Sequence, residues 1–94
     1  MSVYLVTWEI NKGKSNYSEI RERFIALVQR YDHIKDADLD SVVFLSNIST
    51  ANQVSDDLRV TLDGDDRLIV TKMISGNYQG WLNPNVWKWI NVRI

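Results

Sequence analysis

The chain has 94 residues, 45% of them apolar and 24% charged, which is the size and composition of one globular domain rather than of a disordered segment. It has no cysteine and one histidine, which excludes a disulfide framework, a thiol nucleophile, a cysteine zinc site and a multi-histidine metal centre. Eleven Lys and Arg against twelve Asp and Glu leave a net charge of −1, without the basic excess of a duplex-DNA binder.

Val3 to Ile10 is β-branched and aromatic, and predicts a strand. Both of its faces are largely apolar, as in a central strand covered on both sides. Asn11 to Asn16 reads as a loop. Ile20, Phe24, Leu27, Val28 and Tyr31 then recur at helical spacing, with Asn16 and Glu19 as a capping box and a helix running to about Tyr31. His33 to Lys35 fits a short edge strand. Ser41 to Ile48 is a clear strand. Thr50 and Gln53 cap a second helix with the stripe Ala51, Val54, Leu58 and Leu62, and Gly64 stands where its C-terminal cap belongs. Arg67 to Ile74 is the last strand and Ser75 to Gly80 a loop. Asn83-Pro84 opens a short terminal helix bearing Val86, Trp87 and Ile90.

Residues 1–94 therefore form a single α+β domain, a ferredoxin-like βαββαβ sandwich with a short C-terminal helix. Three helices are too few to roof both faces of the sheet. One face, carrying Val3 and Leu5 with either Val42 and Phe44 or Val43 and Leu45, is expected to stay open. An open apolar face predicts sheet-to-sheet pairing into a homodimer, broken by Leu5→Lys. The longest apolar runs are far short of the ~20 residues of a membrane span, and no secretory signal pattern opens the chain. The expected location is the cytoplasm.

Several constellations resemble chemical sites. Trp8 to Ser15 ends in Gly-Lys-Ser between a strand and a helix, like a phosphate loop, but Trp8 stands where that loop needs its first glycine. Lys12 and Lys14 are then basic loop residues able to meet a phosphate backbone or an acidic protein. Asp36, Asp38 and Asp40 match the first three carboxylates of a calcium loop, but Ser41 and Asn47 stand where its glycine and last glutamate belong, so the run reads as a solvated acidic turn. Asp63-Gly64-Asp65-Asp66 reads as a cap and tight turn. His33 has no recognisable catalytic partner and reads as an edge-strand residue. Of four tryptophans, three lie between Trp81 and Trp89. Trp87 falls on the apolar stripe; Trp89 falls off it and is the expected exposed contact; Trp81 is open to either role.

Tyr4 to Asn11, Thr50 to Asp66, Gly80-Trp81-Leu82 and Trp87-Lys88-Trp89 together resemble the small SinR-like proteins. Those are similar in turn to CRISPR-associated adaptation endonucleases and VapD-type toxins. The resemblance covers nearly the whole chain and implies a ferredoxin-like dimer. In the endonuclease-like relatives an aspartate ends strand one, and two subunits pair it around a metal. Here that position is Glu9, whose extra methylene displaces the carboxylate. The resemblance implies Glu9 as catalytic residue and metal ligand, Asn11 as its polar neighbour, and magnesium as cofactor in that case alone. The plainer reading of Glu9, a solvated strand end, is preferred. Two functions follow. One is a non-catalytic, cofactor-free interaction protein for a protein or RNA partner, in mobile-element defence or counter-defence, with Lys12, Lys14, Trp81 and Trp89 as contacts. The other is a magnesium-dependent endoribonuclease using Glu9 from each subunit.

Overall fold

A computed structural model describes residues 1–94. Four strands, β1 (Ser2–Glu9), β2 (Asp32–Ile34), β3 (Val42–Asn47) and β4 (Arg67–Met73), form one sheet in the order β2-β3-β1-β4, with every neighbouring pair antiparallel. The most apolar strand, β1, is central, as its two-sided pattern requires. Helix α1 (Tyr17–Val28) follows β1, and helix α2 (Ala51–Leu58) with a 3-10 turn (Arg59–Thr61) follows β3. Helix α3 (Pro84–Asn91) ends the chain.

Strand alternation sorts the core into two layers. Tyr4, Val6, Trp8, Val43 and Leu45 point toward α1 and α2, where they meet Ile20, Phe24, Val28, Val54 and Leu58. Phe24 has no exposed surface, and its ring lies 4.9 Å from that of Trp8. The opposite face carries Val3, Leu5, Val42 and Phe44. It is not open, as the count of helices had implied. Val86 and Ile90 of α3 bury Val3 and Phe44, and Leu82, Trp87, Trp89 and Tyr78 pack around them. One short helix suffices because the connection from β4 doubles back beneath the sheet. Gly76, at φ 83°, supplies the left-handed residue in that turn. The apolar underside that argued for sheet-to-sheet pairing is thus covered by the chain itself.

Four local expectations also change. Helix α1 stops at Val28, and Asn16 makes no side-chain cap, while Thr50 and Gln53 close the reciprocal box expected of them. Gly64 does not cap α2, which passes into the 3-10 turn instead. The acidic run is not a solvated turn throughout. Asp36 is buried, and it accepts hydrogen bonds from the Asn83 backbone N–H at 2.8 Å, from Asn83 Nδ2 at 2.7 Å and from the Asp38 N–H at 2.9 Å. His33 sits on the edge strand as expected, with Nδ1 2.9 Å from the Tyr31 carbonyl oxygen. No helix is long and apolar enough to cross a membrane.

Candidate functional site

Two surfaces carry the residues singled out by sequence. The first lies at the carboxyl end of β1. Glu9 is exposed there, across the sheet register from Arg67 of β4. A cavity of about 360 Å³ opens beside it, walled by Glu9, Lys12, Tyr17, Arg21 and Asp40. Asn11 faces elsewhere. Its side-chain oxygen accepts from the Gly13 N–H, and its own N–H donates to Asp66 Oδ1, both at 2.9 Å. No three histidine, aspartate or glutamate side chains gather to hold a metal ion. Glu9 and Asp40 share their cavity with two cations, so the residues of a single copy do not fit a magnesium site, whose hard cation takes oxygen ligands.

Lys14 is not available as a phosphate contact. Its Nζ lies 2.7 Å from Asp66 Oδ2 and 2.9 Å from Asp63 Oδ1, with the Asp66 side chain fully buried. The hydrogen bond that Lys14 donates to Asp66, with help from the one to Asp63, raises the Lys14 pKa above the ordinary lysine value. Burial pushes Asp66 up. The Lys14 ammonium and the N–H groups of Asn11 and Asp63 outweigh that, and its carboxyl stays below the usual range. The Gly-Lys-Ser sequence thus anchors the β1–α1 loop to the turn before β4, and the acidic turn 63–66 is the lysine's socket.

The second surface is formed by the loop between β4 and α3. Trp81 is 99% exposed. Beside it a cleft of about 160 Å³ runs between loop and sheet, walled by Leu5, Leu39, Val42, Phe44, Met73, Tyr78, Leu82 and Trp87 with only Gln79 and Gly80 besides. From Ile74 to Trp87 the chain carries no charged residue. The Tyr78 and Trp87 rings stack at 6.2 Å and stiffen one wall. Trp89, the expected exposed contact, is half-buried. The Arg93 guanidinium covers its ring at 4.2 Å, held there by Asp32 at 2.8 Å. The helical stripe had placed Trp89 outward, and a cation one turn further on closes over it. The cleft itself was not foreseen, because its walls come from three strands, two loops and α3.

No protein-family model matches the chain, and no curated protein sequence matches it.

Proposed function

We propose that this domain is a ferredoxin-like, non-catalytic interaction module that docks on a protein partner through the Trp81 face. One observation carries the reading: a fully exposed indole in a charge-free segment, bordering an apolar cleft. Interface centres are rich in aromatic side chains and poor in charge. An RNA surface needs cations aimed at phosphates, and Lys14 is already neutralised by two carboxylates. A protein is therefore preferred to RNA. The ferredoxin-like description is supported by the order β2-β3-β1-β4, by its antiparallel pairing, and by helices following β1 and β3. The resemblance to SinR-like proteins adds a homodimer of mobile-element defence or counter-defence, and the sequence patterning a cytoplasmic location.

The test compares tagged wild type, Trp81→Ala and Lys12→Ala as baits. A protein held by wild type and Lys12→Ala but lost from Trp81→Ala upholds the reading. A protein or RNA lost from Lys12→Ala and kept by Trp81→Ala moves the binding site to the end of β1.

A second reading is an endoribonuclease in which Glu9 residues of two subunits act together with magnesium. Its support is the exposed placement of Glu9 beside a cavity that carries Lys12 and Arg21, cations suited to a phosphate backbone. Purified protein given magnesium and single-stranded RNA decides it. Cleavage abolished by Glu9→Gln upholds it, and cleavage unchanged by Glu9→Gln assigns the activity elsewhere.

A further inference from the structure

We propose that the partner of the Trp81 face is a second copy of this chain, each copy seating its Trp81 ring in the other's cleft. This rests on the docking reading above and names its occupant.

The volumes agree. An apolar cavity of about 150 Å³ accepts one benzene ring. The cleft measures about 160 Å³ and is walled by Leu5, Phe44, Met73 and Trp87 among others. It takes the six-membered ring of one indole. The chain's own indole does not occupy it: Trp81 stands 99% exposed, although Gly80 and Leu82 on either side of it both line the cleft.

The arrangement also suits a twofold axis. In an isologous pair, residue i of one copy meets residue j of the other, and j meets i. A knob adjoining its own matching hole meets that condition, because one rotation exchanges both at once. The absence of charge from Ile74 to Trp87 means that bringing two copies of this segment together opposes no like charges within it. Tryptophan buries roughly 150–250 Å². Two exchanged rings with their cleft walls stay below the about 1,200 Å² of stable complexes, so the dimer is weak and dependent on concentration.

Sedimentation equilibrium over a concentration series up to about 1 mM tests this. Wild type should move from 11.0 kDa toward twice that mass as concentration rises. Trp81→Ala removes a ring that touches nothing in its own core, and should remain at 11.0 kDa throughout. Leu39→Lys, at the 37% exposed rim, puts a charge into the cleft and should do the same.

A wild-type monomer at every concentration overturns the proposal. So does a Trp81→Ala protein that still pairs. A monomer that nonetheless holds a different protein through Trp81 overturns the second copy as occupant and leaves the docking reading standing. A monomer with no Trp81-dependent partner overturns both.

Discussion

Asp36 receives two hydrogen bonds from Asn83, one from its backbone at 2.8 Å and one from its side chain at 2.7 Å, and so ties the start of α3 to the chain just beyond β2. The other end of α3 is tied to the same strand, where Arg93 reaches Asp32 at 2.8 and 3.3 Å. Between these ties, Val86 and Ile90 are fully buried against the sheet. Asp36→Ala leaves the half-buried Asn83 N–H without its acceptor and Nδ2 with only Asp38 Oδ2, at 3.3 Å. It should speed amide hydrogen exchange across Pro84–Asn91 while exchange in α1 stays unchanged. Uniform acceleration across both helices would show that the tie serves the whole fold rather than α3.

The same ties set an acid limit. Hydrogen bonds from Asn83 hold the Asp36 carboxyl below its ordinary range, and a hydrogen bond from Arg93 does so for Asp32. A carboxyl depressed in the folded state binds fewer protons there than in the unfolded chain, so stability rises with pH through that region. The contribution is complete above the unfolded value of about 4 and is lost as pH falls through the lower native values. Urea midpoints measured between pH 7 and pH 2 should fall steeply for wild type and less steeply for Asp36→Asn. Parallel curves would remove Asp36 from the account.

The two core layers should differ in what their loss does. Phe24→Ala empties the centre of the upper layer and should cost about 3–5 kcal/mol in chemical denaturation. Ile90→Ala should cost about 2–5 kcal/mol by the same rule. It should also make the underside bind a hydrophobic dye while far-ultraviolet dichroism from α1 and α2 persists. Equal dye binding by both variants would mean the layers unfold as one.

Caps offer a paired test of local geometry. Thr50→Ala breaks a reciprocal box and should lower stability by about 1 kcal/mol. Asn16→Ala removes a side chain that makes no cap bond, and the denaturation midpoint should hardly move. A larger loss at Asn16 would imply a role in the loop that this structure does not give it.

Local patterns were legible where a residue's environment lies within a few positions of it. The strands, the Thr50 box and the edge placement of His33 all follow from neighbours in sequence. What was not legible depended on contacts between distant segments. The buried state of Asp36 comes from Asn83 in the terminal segment, and the engagement of Lys14 comes from Asp63 and Asp66 before β4. Neither pairing leaves a periodic trace. The covered underside was half readable: β1 looked apolar on both faces and α3 had its stripe, but counting helices against sheet area set these two observations against each other. Among the tryptophans, helical phase set Trp87 apart from Trp89, yet both are half-buried and pack against the same underside cluster. It could not register Arg93 folding over the Trp89 ring.

The position of β1 bears on how the molecule is made. It precedes both of its partners in the chain, hydrogen-bonding to β3 on one side and to β4 on the other. Nothing local can zip it up, so pairing must wait for distant chain, and arrangements of that kind fold slowly. The greasy lower surface waits longer still, since its lid, α3, follows all four strands in the chain. A nascent chain halted after Met73 would present that surface to whatever chaperone is at hand.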